Sequence, residues 1–269
     1  MFNAKTSAVL SRCLKFGVRT QNFENFWTNY VIETMQVVIL AGGLATRLGE
    51  LTRKQPKSLI RILGKPFLEY QLDLLKKNGI RDIVLCIGHL GEQIEDYFGD
   101  GRRFGVNIKY SREEQLLGTA GALKKAETLL DEVFFTLYGD SYLFLDFKAA
   151  LSYFLSHDKL ALMSVYKNFN RYEPSNVVVE GNMVKKYSKK EKTPDMVYIE
   201  YGANIFRKEV LDLIPRSPYT LEQLFPQLIE RGELLAYEVD KRFYEIGSPQ
   251  GLKDFEKFAQ NVLCSGFKL

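Results

Sequence analysis

Residues 40–57 hold the chain's densest group of side chains suited to phosphate chemistry. The run reads Leu40-Ala41-Gly42-Gly43-Leu44-Ala45-Thr46-Arg47-Leu48-Gly49 and closes on Gln55-Pro56-Lys57. Small residues after an apolar run let backbone N–H groups approach an anion closely, and Arg47 and Lys57 supply guanidinium and ammonium charge. In outline this is a phosphate cradle. It is neither the dinucleotide fingerprint G-x-G-x-x-G nor the P-loop G-x-x-x-x-G-K-[ST], which the chain lacks. Gly42 and Gly43 alone would mark only a tight turn; Arg47 and Lys57 turn the reading toward an anion. A carboxylate, Asp140, follows the apolar run Val133–Tyr138, which places it at the carboxyl end of a strand, where open α/β sheets bind ligands.

The elements around these residues alternate between strand and helix. Gln36-Val-Val-Ile-Leu-Ala41 is almost wholly apolar and suits a parallel strand covered on both faces. Pro66, then Leu68, Leu72 and Leu75 at helical spacing, then Gly79, predict a helix with its start and stop. Strands are predicted at residues 82–86, 106–110 and 132–138, with helices at 90–98 and 118–130. The second half is less regular, with strands near 160–165, 175–179, 197–206 and 235–239 and helices near 221–230 and 249–262. The alternation predicts an α/β fold, a Rossmann-like three-layer sandwich with a mostly parallel mixed sheet.

No Pro/Gly/Ser-rich linker or internal repeat divides residues 35–269, which read as one domain. Residues 1–34 differ. Up to Phe23 they carry Lys5, Arg12, Lys15 and Arg19 and no acidic residue. That is the composition of a leader peptide, or of an upstream start preceding a domain that begins at Met35.

Composition excludes several classes. A chain of 269 residues, 46% hydrophobic, can build a core without disulfides or structural metal. Its net charge of +4, from 37 basic and 33 acidic residues, does not suggest a nucleic-acid partner. Three cysteines (Cys13, Cys86, Cys264) and two histidines (His89, His157) form no zinc-ligand spacing. No window approaches the roughly 18 apolar residues of a membrane span. A protein of the cytoplasm is expected, with no membrane or nucleic-acid partner.

Residues 40–57, continuing through Gly64-Lys65-Pro66-Phe67-Leu68-Glu69-Tyr70, resemble the signature of the sugar-1-phosphate nucleotidyltransferases, the nucleoside-diphosphate-sugar pyrophosphorylases. That pattern reads L-A-G-G-x-G-T-R-L, then P-K, then G-K-P. Leu117-Gly118-Thr119-Ala120-Gly121, Gly139-Asp140 and Tyr244-Glu245-Ile246-Gly247-Ser248-Pro249 agree in order and spacing. The resemblance covers about residues 36–258. It is nearest to the mannose- and heptose-1-phosphate guanylyltransferases and related uridylyltransferases, partly through Phe169-Asn170-Arg171-Tyr172 and Asn176-Val177-Val178-Val179.

The resemblance implies the nucleotide-diphospho-sugar transferase fold and a reaction joining an NTP to a sugar 1-phosphate, with release of pyrophosphate. Arg47, Lys57 and Asp140 would be catalytic. Leu40, Ala41, Gly42, Gly43, Glu113, Gly118 and Thr119 would bind the nucleotide, and Lys190, Glu200 and Gly202 the sugar phosphate. Asp140 and Glu245 would hold Mg²⁺, hard oxygen for a hard cation. Glu113 could accept hydrogen bonds from guanine, which tilts the reading toward GTP with a mannose- or heptose-type acceptor. His89 is either a pocket residue or an ordinary structural one. A homo-oligomer is compatible with this reading.

Several residues depart from the pattern. Ala45 replaces a glycine, and Lys189 the glutamate of F-x-E-K. Glu245 replaces an aspartate, and Glu200-Tyr201-Gly202-Ala203-Asn204 takes the place of N-A-G-x-Y. Two other readings stay open: a non-catalytic nucleotide-sugar-binding regulator, and cytidylyl or uridylyl transfer to another phosphorylated acceptor. A glycosyltransferase fits less well, because Asp140-Ser141-Tyr142 lacks the second aspartate of D-x-D.

Overall fold

The apolar run after Met35 forms strand β1 (Gln36–Leu40), in which Val37, Val38 and Ile39 are wholly buried, so both faces of the strand are covered. A computed structural model describes residues 34–44, 46–215 and 218–264. Within it, the described residues from Met35 onward belong to one compact unit. The basic segment 1–33 and Ala45 lie outside the described residues.

Along the chain, β1 leads to a small hairpin, β2 (Arg61–Ile62) and β3 (Lys65–Pro66), then helix α1 (Phe67–Lys77), β4 (Asp82–Ile87), α2 (Gly91–Phe98) and β5 (Asn107–Arg112). Next come α3 (Gly118–Lys125), β6 (Val133–Tyr138), β7 (Ser141–Tyr142), α4 (Phe147–Leu155) and β8 (Ala161–Lys167). The remainder is β9 (Val177–Glu180), β10 (Met183–Tyr187), β11 (Tyr198–Arg207), α5 (Leu221–Glu230), β12 (Leu234–Val239), β13 (Tyr244–Glu245) and α6 (Pro249–Cys264).

Nine strands form one sheet in the order β5-β4-β1-β6-β11-β8-β12-β10-β9. β1 runs parallel to β4 and β6, so Leu40, Cys86 and Tyr138 lie in register at one end. β11 then runs antiparallel between β6 and β8. Parallel pairing is confined to β5-β4-β1-β6 and to β8 with β12. The sheet is therefore mixed, and the expectation of a mostly parallel one is corrected. β9 and β10 are joined through Gly181-Asn182, a link short enough only for a hairpin, and hairpin strands are antiparallel.

Alternating side chains divide the core. Val38, Val84 and Phe134 pack with Ala122, Leu123, Leu224 and Phe225 of α3 and α5. Phe135 points the other way and meets Phe147 of α4, ring centroids 5.3 Å apart. Helix α4 is absent from the sequence expectations although its signals are present. Asp146 accepts from the Ala149 N–H at 2.9 Å, and Phe147, Ala150, Leu151 and Phe154 are buried at helical spacing. The helix expected over 118–130 stops at Lys125 and gives way to a 3₁₀ turn, Glu127–Leu129.

A second apolar cluster fixes the peripheral ribbon. Ile62, Phe67, Tyr142, Ile246 and Phe255 pack together, so α1 and α6 clamp the β7–β13 pair that sets Glu245 opposite Ser141. No helix among the described residues is long and apolar enough to cross a membrane.

Candidate active site

Three parallel strands, β4, β1 and β6, end side by side, and each is followed by a glycine: Gly88, Gly42 after Ala41, and Gly139. β4 and β6 flank β1 on opposite sides, and such a switch point leaves a crevice at the carboxyl ends. The ends are laced by Ala41 N–H to Cys86 O at 2.8 Å and Gly139 N–H to Leu40 O at 3.0 Å. Neither Gly42 nor Gly43 needs a left-handed backbone. Gly42 sits in close quarters: a Cβ there would lie 3.3 Å from Gly88 N and 2.7 Å from Glu113 Oε1, the movable end of a side chain, so a larger residue would push Glu113 aside.

A cavity of about 240 Å³ opens at these ends, bordered by Leu40, Ala41, Gly42, Gly43, Lys57, Glu113, Gly118, Thr119, Tyr138 and Asp140. All of these except Tyr138 are residues that the sequence assigns to the nucleotide or to catalysis, so both sets converge on one space. Arg47 belongs to a 3₁₀ segment, Thr46–Thr52, and its side chain lies outside the described residues. Lys57 Nζ donates to Asp140 Oδ2 at 2.6 Å, bringing together two groups 83 positions apart.

Gly118 has φ +73°, and a Cβ there would lie 2.6 Å from Tyr219 O, so only glycine opens α3 in this way. That same carbonyl accepts from Ala120 and Gly121, while Thr119 Oγ1 accepts from Leu221 N at 2.8 Å. Thr119 therefore borders the cavity with its hydroxyl committed to the start of α5. Glu113 accepts from Leu117 N at 3.0 Å; burial pushes its carboxyl above the ordinary range, against the opposing pull of that N–H and of Lys125. Glu113 also borders a neighbouring recess of about 270 Å³ with His89, Glu114 and Gln115, which places the exposed His89 beside the site.

A larger cavity, about 620 Å³, shares Tyr138 and Asp140 with the first. Glu200, Gly202 and Glu245 border it, as do Asn176, Lys189 and Lys192. Lys190 does not, so the lysine expected at the sugar phosphate is displaced from that wall by its neighbours. Lys189, Lys190 and Lys192 follow β10 in a loop, where Ser188 Oγ accepts from the N–H groups of Lys190 at 3.2 Å and Glu191 at 2.8 Å. Burial and the adjacent Lys189 lower the pKa of Lys192 below the ordinary lysine value.

Glu200 is 8% exposed and saturated with donors. It accepts from Tyr138 Oη at 2.8 Å, Tyr187 Oη at 2.9 Å and Asn204 Nδ2 at 3.3 Å, at the bulge of β11 that includes Gly202. Burial, and then the carboxylate, raise Tyr138 well above its ordinary value, so its hydroxyl stays a donor. Tyr138, unremarked in the sequence, is the wall between the two cavities. Its only signal was its place two residues before Asp140. Glu245 accepts from Ser248 Oγ at 2.6 Å and from the Gly247 N–H, at the start of α6.

A glycine-lined crevice at a switch point, adjoining a second cavity across one aspartate, defines an α/β protein with two neighbouring cavities at one end of its sheet. Residues 36–262 match the nucleotidyl transferase family model, and the chain belongs to that family. It is 34% identical over 256 residues to a UTP–glucose-1-phosphate uridylyltransferase of Synechocystis, covering 87% of this chain and 65% of that one. The chain thus spans less than two thirds of that relative's length. It is 30% identical over 223 residues to the D-glycero-α-D-manno-heptose 1-phosphate guanylyltransferase of Campylobacter jejuni, covering 82% of this chain and 98% of that one. The solved structure of HddC from Yersinia pseudotuberculosis complexed with GMP-PN superposes with a TM-score of 0.72 at 28% identity, covering 84% of this chain and 100% of that one.

Proposed function

We propose that this chain joins an NTP to a sugar 1-phosphate, giving an NDP-sugar and pyrophosphate, with GTP and a mannose- or heptose-type 1-phosphate as its substrates. The observation that carries the reading is the position of Asp140 and Tyr138 in the wall common to the two cavities, with Lys57 on Asp140. A nucleotide in the smaller cavity and a phosphorylated acceptor in the larger would meet there. The near full-length match to a heptose 1-phosphate guanylyltransferase and the likeness to a GMP-PN complex support the guanine nucleotide. Helices on both faces of β1 and β6 support the finer description of the fold as a Rossmann-like three-layer sandwich.

In this reaction an oxygen of the sugar phosphate attacks the α-phosphorus of the NTP and the bond to the β-phosphate oxygen breaks, so pyrophosphate leaves with the electron pair. No general base is needed. The second ionisation of a phosphate monoester lies near pH 6, and at neutral pH the attacking group is already charged. The remaining requirements are positioning and charge neutralisation. Lys57 would brace the phosphates at the wall and Lys189 and Lys192 would hold the acceptor, while Glu113 would read the base.

The donor set suits Mg²⁺ in kind: Asp140 and Glu245 both border the larger cavity, with Ile246 N–H bonding Asp140 O at 2.9 Å, and Mg²⁺ sites use one or two carboxylates plus substrate phosphates. Asp140 would hold the ion, and Glu245, whose oxygens accept from Ser248 Oγ and Gly247 N–H, would join it through their remaining lone pairs. Such an ion, when bound, neutralises charge on the phosphates and fixes their in-line arrangement.

Pyrophosphate release measured over four NTPs and a panel of sugar 1-phosphates tests the proposal. Turnover with GTP and a mannose- or heptose-type acceptor is expected. A folded protein that releases pyrophosphate with no pair would sink it.

A further inference from the structure

Gln71 lies on α1, on no motif that implies chemistry, and is 2% exposed. Its single Nε2 donates twice, to Tyr138 O at 2.9 Å and to Ser141 O at 2.7 Å. Those two carbonyls bracket Gly139 and Asp140. One amide therefore grips the turn on both sides of the aspartate, using both of its hydrogens. Turned the other way, the amide would set its oxygen against two carbonyl oxygens, so the assignment follows from the acceptors present.

Gln71 Oε1 is buried and accepts from no described residue. A stranded buried acceptor is unfavourable, and an apolar side chain of similar length would avoid it. The glutamine is thus a poor choice for packing and a good one for fixing the two carbonyls. Between its strand-paired ends, Tyr138 beside Leu40 and Ser141 beside Glu245, the turn is held by Gly139 N–H to Leu40 O and Ile246 N–H to Asp140 O, and the Gln71 amide ties the two ends to each other. The same turn carries Tyr138, whose hydroxyl reaches Glu200, so its placement sets both cavities at once.

We infer that Gln71 is a positioning residue for the reaction, acting through Asp140 by holding the Tyr138–Ser141 turn. The inference rests on nucleotidyl transfer as the function. It is distinct from a packing role, because packing would be served as well by leucine or methionine. Outer-shell partners of this kind typically change activity about 10- to 100-fold, on the order of the cost of small displacements of a reacting group.

The test compares Gln71→Leu and Gln71→Met with the wild type in the pyrophosphate assay, alongside thermal melts. The expected result is kcat lowered about 10- to 100-fold with KM for both substrates within about twofold, in proteins that melt no more than a few degrees lower. Wild-type kcat in either folded variant overturns the inference. So does loss of folding in both, since the glutamine would then be structural. If the wild type itself releases no pyrophosphate, the functional reading has failed, and that outcome is separate from any difference between wild type and variants.

Discussion

Lys57 and Asp140 are paired at 2.6 Å, and each side chain keeps 20% of its surface exposed at the wall between the two cavities. An ion pair placed to stabilise a fold would be shut away from ligands or spread on the surface. This one borders the space where two phosphates would meet. Removing either member leaves the other largely covered and unpaired, so a loss of about 1–3 kcal/mol in unfolding free energy is expected, with the variants still folded. Turnover should fall on the order of 100-fold, the usual loss when one charge-stabilising contact is removed. Urea melts and initial rates of Lys57→Ala and Asp140→Ala check both halves. A large stability loss with normal turnover in the folded fraction would make the pair structural.

Glu113 gives a prediction in pH. Its carboxyl is raised in the folded protein, chiefly by burial, so the folded state holds this proton more tightly than the unfolded chain does. Its contribution to stability is therefore full below the ordinary glutamate value, about 4.3, and is lost as pH rises from there through the raised value. Glu113→Gln keeps an acceptor for Leu117 N–H and removes the ionisation. Relative to wild type the variant should gain stability as pH climbs from the ordinary glutamate value through the raised one, and no further above it. The same change should raise KM for GTP about tenfold, the scale of losing one bidentate base contact, with the acceptor's KM unchanged. A stability difference that is flat with pH would contradict the burial of this carboxyl.

The nucleotide side of the site was legible because its residues come directly after strands that the sequence makes plain. Val37-Val38-Ile39 and Val133-Phe134-Phe135 mark two buried strands, and the loops leaving them must gather at one sheet end. The reason for a glycine was less legible: Gly42 is crowded by Glu113 and Gly88, 71 and 46 positions away, and its own backbone angles do not call for one. The acceptor side depends on a loop. Whether Lys189 or Lys190 meets the cavity is set after β10 has ended, in a turn held on Ser188 Oγ, and no period in the sequence announces a loop's path. Gln71 was invisible for a related reason, since its partners are backbone carbonyls, which carry no residue-type signal.

Glu200 accepts hydrogen bonds from two tyrosine hydroxyls and an amide while bordering the larger cavity. Glu200→Ala strands those donors, and a loss of about 1–3 kcal/mol in unfolding free energy is expected. Glu200→Gln should cost less, because a tyrosine hydroxyl can rotate to accept from the new amide. Both variants should raise KM for the sugar phosphate more than KM for the NTP, since Tyr138 loses its anchor on the acceptor side. Equal effects on the two KM values would show that Glu200 supports the site as a whole.

The three lysines after β10 separate the motif from the geometry. Lys189 and Lys192 border the larger cavity and Lys190 does not, although the family resemblance assigns the phosphate contact to Lys190. Lys189→Ala and Lys192→Ala are each expected to raise KM for the sugar 1-phosphate about tenfold, the scale of one charge-assisted hydrogen bond, while Lys190→Ala stays within about twofold of wild type. Lys192 adds a pH signature. Burial and Lys189 lower its pKa, so it sheds its proton at a lower pH than an ordinary lysine and its hold on a dianionic phosphate weakens earlier as pH rises. In the wild type, KM for the acceptor should climb on the alkaline side, and in Lys192→Ala that climb should flatten. Steady-state kinetics over a pH series reads this directly, and a rise in KM confined to Lys190→Ala would return the phosphate contact to the residue named by the motif.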